Sequence, residues 1–325
     1  MIRIKMKKTI IITNECDAHW EMLLEITNEQ EKERLKLFPV DQLGFTDDIG
    51  IEFDPIGHKA RFIFPDKTIL TEQDISSIWY RRLPISKKLA RNQQDAKYCK
   101  EEYIRFFENL EFALPDVKWV SKPSAIKKTK NKAYQLSLAK RLRFNLPDTV
   151  FSNYPESLSD MFDKYSDGII YKAVDNANIR EKKEYLTVWT TKIKKSDLKN
   201  KQGLSLCPGI LQQFINKKSD IRVTIFGNKV FAVEIQSQQQ PVSKIDFRLG
   251  GDSNPHVIHN LPDGIESKCR KLVAESGLLF GAIDMALMED GSYIFFEINA
   301  NGQWGWLEEQ TGLPMRKALL DLLLN

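Results

Sequence analysis

An α/β unit followed by two α+β units is the architecture the sequence predicts, and three observations carry that reading. The chain opens on alternating strand and helix signals. Its middle is a lysine-rich series of short segments, and its last third holds two hairpin signals between strands with polar and apolar residues in turn. The expected units span residues 1–115, 116–205 and 206–325.

In the first unit, a strand over 8–14, a helix over 18–29 and a strand near 35–38 make a β-α-β opening. Segments 49–54 and 59–64 flank Pro55-Ile56-Gly57 as a hairpin, 75–81 is a further strand, and 95–112 has the spacing of an amphipathic helix. The middle unit runs from a basic helix over 131–142 through strand 149–152, helix 156–165 and strands 169–174 and 186–193. The last unit holds a strand over 209–215, a hairpin over 221–234 turned at Gly227-Asn228, a helix over 266–276, a second hairpin and a C-terminal helix.

That second hairpin carries the most chemistry. Asp290-Gly291 between apolar runs is the signal of a two-residue turn whose central residues need positive φ. Counting outward from that tip pairs Glu289 with Ser292, Leu287 with Ile294 and Asp284 with Glu297, so two carboxylates face each other. Asn299 shares the face of Glu297, one step on. Opposed like charges among Ile and Phe are costly, so a cation is expected between them. Two carboxylates and an amide oxygen are hard ligands that suit Mg²⁺. A surface hairpin with one wet acidic face is the alternative.

The chain has 325 residues, 42% hydrophobic and 28% charged, with no run of about 18 apolar residues, so a membrane span is not expected. Its basic start is followed only by Thr9–Thr13, a first strand rather than a signal peptide. Four dispersed cysteines argue against a zinc site or disulfide framework and fit a reducing cytoplasm. A net charge of +4 is too small to imply nucleic acid, although residues 118–143 hold nine Lys/Arg and no acid. That run is either a solvated helix face or an anion-binding surface.

Lys172 sits in an apolar strand, either with its head in water or reaching a phosphate. Asp220, Arg222 and Thr224 share one strand face, a pattern that half-solvated strands also show. No P-loop sequence occurs, and no G-x-G-x-x-G follows the first strand, so a phosphate site must use lysines and a metal. His19 is read as a cap or packing residue. His256-x-x-His259 lies in a polar loop that gives no reason for a preformed metal site.

In order, Asn131-Lys132, Lys172, the 212–215 segment, Asp220-Ile-Arg222, Asp284 and Glu297-Ile-Asn299 resemble the ATP-grasp ligase superfamily. A closer resemblance, over nearly the whole chain, is to the graspetide synthetases of the microviridin type. It is carried by Trp79-Tyr-Arg-Arg82, Gln135-Leu136, Cys207-Pro208, Ser237-Gln-Gln239, Asp246-Phe-Arg248, Gly281-Ala-Ile-Asp284, Phe296-Glu-Ile-Asn299 with Gly302, and Thr311-Gly-Leu-Pro314. Ala300 departs from the proline common after the first Asn, and Asp220 from the Glu common in relatives.

The resemblance implies an N-terminal α/β domain, a central lid and leader-binding domain, and a C-terminal domain bearing the metal. ATP would lie between the last two, with Lys132 and Lys172 on its phosphates, Gln213, Phe214 and Ile215 on the adenine, and Asp220 on the ribose. Asp284, Glu297 and Asn299 would hold Mg²⁺. Such enzymes phosphorylate Asp or Glu side chains of a ribosomal precursor peptide and close ester or amide rings with Ser, Thr or Lys through an acyl phosphate. Arg222 would then stabilise the phosphoryl group, and Arg248, Arg81 and Arg82 would hold substrate carboxylates, the alternatives being a structural ion pair with Asp246 for Arg248 and solvated side chains for Arg81 and Arg82. A leader peptide would dock against 169–174 and 186–193, and a homodimer is implied by relatives. No residue stands out as the general base. Rival readings are a carboxylate–amine ligase for free amino acids, a non-catalytic nucleotide-gated peptide binder, and a nucleic-acid binder built on the basic run.

Overall fold

The N-terminal apolar run becomes an inner strand of a parallel sheet in the computed structural model, which describes residues 6–43, 47–81, 93–175, 178–181 and 184–325. Strand β1 (Lys8–Thr13) is followed by α1 (Ala18–Leu24), α2 (Glu29–Arg34) and β2 (Leu35–Pro39). The single helix expected over 18–29 is thus two. Asn28 starts the second with a capping box, accepting from Glu31 N while Glu31 accepts from Asn28 N.

An antiparallel meander of β3 (Asp48–Asp54), β4 (Gly57–Ile63) and β5 (Ile69–Thr71) leads into β6 (Ile75–Tyr80), α3 (Gln93–Ala113) and β7 (Lys118–Val120). The parallel order is β2-β1-β6-β7. Helices α4 (Pro123–Lys130) and α5 (Lys132–Arg141) come next. Expected within the central unit, they instead place Ile126, Leu138 and Ala139 in one core with Ile221 and Ile283 of the C-terminal sheet.

The central unit comprises β8 (Thr149–Ser152), α6 (Glu156–Lys164), β9 (Ile169–Lys172), β10 (Asn178–Glu181), β11 (Glu184–Thr187), β12 (Thr191–Ile193) and β13 (Gly209–Gln213). Two expectations are corrected here. The strand over 186–193 is split, because β11 pairs with β10 in a separate ribbon while β12 pairs with β9. The boundary at 205 falls too early, because β13 hydrogen-bonds between β9 and β8 in the order β12-β9-β13-β8.

The C-terminal unit contains β14 (Ser219–Phe226), β15 (Lys229–Ile235), β16 (His256–Ile258), α7 (Asp263–Glu275), β17 (Phe280–Leu287), β18 (Tyr293–Asn299), α8 (Gly305–Thr311) and α9 (Met315–Leu324). Its antiparallel order is β16-β15-β14-β17-β18. On one face, Ile221, Val223 and Ile225 pack with Leu272 and Val273 of α7. The opposite face is shared by α8, α9 and a cavity whose lining includes Arg222, Asp284 and Glu297. Every residue of β14 is buried, so the alternation there marks a covered polar row and not a half-solvated strand. Trp304, Leu319 and Leu323 also join Ile11, Leu23 and Trp79, tying the first unit to the last.

The second hairpin differs from its expected form in two compensating ways. Its turn has three loop residues: Gly291 N donates to Met288 O, Met288 N donates to Ser292 O, and Gly291 has φ 80° while Asp290 does not take positive φ. Leu287 therefore pairs with Tyr293, not Ile294. A β-bulge then admits Phe296 as an extra residue, so that Asp284 does pair with Glu297.

Candidate active site

Arg222, Asp284 and Glu297 form a cross-strand row on β14, β17 and β18. Arg222 Nη1 donates to both oxygens of Asp284 at 2.7 Å, and Nη2 donates to Gln303 O at 3.2 Å. Lys132 Nζ donates to Glu297 at 2.5 Å. The expected cation thus arrives as two side chains, one for each carboxylate. Lys132 occupies the first turn of α5, behind the Asn131 cap, where a cation opposes the helix dipole. Its ion pair with Glu297 offsets that cost, and it adds to an end already suited to anions.

The two carboxylates differ electrostatically. Burial pushes Asp284 above the usual carboxylate range, and Glu297 and Asp220 push the same way against Arg222. Burial would raise Glu297 too, but Lys132, Lys172 and Arg248 overcome it and hold the group at about 2. A carboxylate that burial resists charging, beside one fully charged, is a pair that one more cation would stabilise. Asn299 extends past Glu297 and accepts from Asn301 N at 3.0 Å. Among the described residues no group of three His, Cys, Asp or Glu could hold a metal. Two carboxylates and an amide fit Mg²⁺, which completes its shell with water and phosphate oxygens.

Gln135, part of the resemblance but given no role from sequence, secures this segment. Its amide nitrogen donates to Thr129 O at 2.7 Å and Ile298 O at 2.9 Å, and its oxygen accepts from Ile298 N at 3.1 Å. The buried amide therefore replaces a sheet partner for the residue between Glu297 and Asn299.

Lys172, on β9, approaches from the central sheet. Its Nζ donates to Gln212 at 3.0 Å and lies 5.3 Å from the Phe296 ring, which the bulge places on the cavity side. Burial, with Lys132 and Lys217 nearby, depresses the Lys172 ammonium despite Glu297 and Asp246. An approaching polyanion would reverse that strain.

The link from β13 to β14 carries Phe214 and Ile215, and both line the cavity with Gln213. Phe214 N donates to Gly168 O, and Lys192 Nζ lies 3.6 Å from the Phe214 ring. Asp220 is buried, accepting from Lys217 at 2.7 Å and Ser237 at 2.6 Å. Burial raises it, against those partners. Lys217 escaped sequence reasoning; its spacing of three from Asp220 was the available signal.

Arg248 lines the same cavity, its fork closed on Asp246 through Nε at 2.8 Å and Nη2 at 2.5 Å, with Trp189 5.4 Å away. Trp306 stands near Phe247 and His256, with centroids at 6.4 and 5.1 Å. His256 thus faces the cavity, while His259 meets Tyr293 and Glu234, so the two histidines share no metal position. The cavity encloses about 600 Å³, a size usual for small-molecule sites.

Arg81 is not at this cavity. It is 3% exposed and bound to Asp17 at 2.8 Å, with His19 beside it, so its expected role in gripping substrate is corrected to a buried ion pair. Arg82 lies outside the described residues. Of the basic run, Lys132 alone lines the cavity, while Lys127 and Arg141 pair with Glu108 and Glu275.

The fold as a whole is shared with solved ATP-grasp ligases. The chain belongs to the RimK-like ATP-grasp domain family, whose pattern matches residues 128–323. A RiPP-associated ATP-grasp ligase from Chryseobacterium gregarium, solved with ADP and a leader and core peptide, is similar at 27% identity and TM-score 0.87, over 98% of this chain and 96% of that one. The macrocyclase MdnC from Microcystis aeruginosa MRC, bound with precursor peptide MdnA, is 25% identical with TM-score 0.84, covering 98% and 99%. D-alanyl-alanine synthetase A from Vibrio cholerae O1 biovar eltor str. N16961, at 12% identity and TM-score 0.56 over 98% and 97%, shares the fold alone. A comparison with curated proteins found no match. Among the described residues no helix is long and apolar enough to cross a membrane.

Proposed function

We propose that the protein is an ATP-dependent, ADP-forming peptide ligase that activates Asp or Glu side chains of a ribosomally made precursor and closes intramolecular esters or amides with Ser, Thr or Lys. The observation that carries this is the row Arg222–Asp284–Glu297, faced by Lys132 and Lys172 in one cavity that also holds Arg248. The likeness to a ligase solved with leader and core peptides supports the choice of substrate.

Gln213, Phe214 and Ile215 flank the adenine, Asp220 with Lys217 faces the ribose, and Lys132 and Lys172 meet the phosphates. Asp284, Glu297 and Asn299 hold Mg²⁺, which supplies charge neutralisation when bound. A peptide carboxylate oxygen attacks the γ-phosphorus, the bond to the bridging oxygen breaks and ADP leaves. Arg222 steadies the transferring group. The hydroxyl or amine then attacks the acyl carbon, phosphate leaves, and the nucleophile's proton is released. Arg248, by exchanging Asp246 for the peptide carboxylate, orients the first step. The leader docks on the central unit, at β9 and β12, which raises the effective concentration of the core. A cytoplasmic homodimer is part of this reading.

Mass spectrometry of a neighbouring-gene precursor incubated with protein, ATP and Mg²⁺ tests it. One water lost per ring supports the proposal. ATP consumed only with free amino acids, and no water loss, replaces it with a conventional carboxylate–amine ligase.

A further inference from the structure

The N-terminal unit reaches the catalytic row through one buried imidazole. His19, on α1, is 4% exposed, and its Nε2 accepts from the backbone N–H groups of Trp304 at 3.3 Å and Gly305 at 3.2 Å. Its ring meets the Trp304 indole edge-on at 4.7 Å. Behind it, Arg81 Nη2 lies 2.6 Å from Nδ1. Asp17 takes Arg81 Nε at 2.8 Å, the Thr13 hydroxyl at 2.7 Å and His19 N at 2.9 Å. With Nε2 accepting, the neutral imidazole carries its proton on Nδ1, 3.7 Å from Asp17 Oδ1, and Arg81, which can only donate, packs beside the ring and is held there by Asp17.

The loop it holds carries the next link. Gln303 O accepts from Arg222 Nη2, the guanidinium that grips Asp284. Gly302 packs so tightly that a Cβ there would stand 2.8 Å from that Nη2 and 2.6 Å from Ala282 Cβ. At Gly305 a Cβ would stand 2.5 Å from Met22 Sδ, on α1. Residues 302–305 are therefore pinched between α1 and Arg222. A buried ion pair with an imidazole is a poor choice for packing alone, since apolar residues would hold such a contact as well or better.

We infer that His19 is a positioning residue for phosphoryl transfer: it fixes the 302–305 loop, whose Gln303 carbonyl sets the Arg222 guanidinium against Asp284. The inference rests on the ligase reading above. Its parts lie in two units of the chain, so the N-terminal unit contributes to catalysis without touching nucleotide.

Three variants test it. His19→Gln keeps an acceptor near the Nε2 position, His19→Leu fills the space without one, and His19→Asn is polar but too short to reach the loop. Peptide-dependent ADP release by His19→Leu is expected to fall about 10–100-fold, the usual effect of losing a supporting partner, with KM for ATP unchanged. Mn²⁺ binding in the presence of ADP, read by electron paramagnetic resonance, weakens in parallel. His19→Gln recovers most of both, at a melting temperature like that of His19→Leu. If His19→Leu does not fold, His19→Asn takes its place in the comparison. Wild-type turnover and Mn²⁺ binding in the acceptor-less variant, or equal losses in His19→Gln, overturn the inference. A wild-type protein that releases no ADP with peptide overturns the ligase reading instead, and the Mn²⁺ comparison still decides the role of His19.

Discussion

Lys132 Nζ and Glu297 Oε2 stand 2.5 Å apart, joining the first turn of α5 to the end of β18. This contact holds the more strongly charged carboxylate of the pair in place, and its partner Asp284 is held from the opposite side by Arg222.

Glu297→Gln is expected to lower peptide-dependent ADP release by about 100-fold or more, as loss of a group that organises transition-state charge does. The same group gives a pH signature. Lys132, Lys172 and Arg248 hold it at about 2 in the folded protein, below the usual 4.5, so its stabilising contribution is present above 4.5 and is lost as pH falls from there toward 2. Melting temperatures measured down this range should drop more for the wild type than for Glu297→Gln.

Gln135→Leu leaves the Ile298 N–H and C=O without their side-chain partner. A loss of about 1–3 kcal/mol in urea denaturation is expected for such unsatisfied groups, together with weaker Mn²⁺ binding as Glu297 and Asn299 lose their common support.

Arg81→Ala should act on stability. It strands the buried Asp17 carboxylate, which burial alone would raise but which His19, Arg81 and Thr13 hold well below the usual range. The expected cost is about 3–5 kcal/mol in chemical denaturation. A change confined to peptide KM, with stability intact, would contradict the structural role.

Arg248→Ala should act on peptide. Loss of a charged hydrogen-bonding fork is worth about 1.5–3 kcal/mol, which corresponds to a rise of about 10–100-fold in peptide KM, with ATP KM unchanged. Steady-state kinetics with each substrate varied in turn separates the two.

The pairing of Asp284 with Glu297 was legible in the sequence, although the turn that led to it was not. Three loop residues move the register one way, and Phe296, inserted in the bulge, moves it back. Periodicity could not reveal this, because both changes leave the inward series Tyr293, Phe295, Ile298 plausible as core. The Arg222–Asp284 contact needed the order of the sheet, since β14 and β17 are separated by 53 positions between Phe226 and Phe280 that include β15, β16 and α7. Arg81 was misread because burial of a guanidinium depends on a partner far along the chain, here Asp17. Lys172 and the 213–215 segment, ambiguous as strand residues, acquire meaning only once β13 is seen to run from one sheet into the link to the other.

Among the described residues the cavity lining contains six cations, Lys132, Lys172, Lys217, Arg222, Lys244 and Arg248, against five carboxylates, Asp175, Asp220, Asp246, Asp284 and Glu297. Such a space is already close to neutral, and a nucleotide arriving there cannot simply be drawn into a field of positive charge. On the proposed function it would trade places with an anion: Lys132 would exchange Glu297 for a phosphate, and Arg248 would exchange Asp246 for a peptide carboxylate. Binding is then a sequence of partner exchanges, each with its own toll in broken contacts.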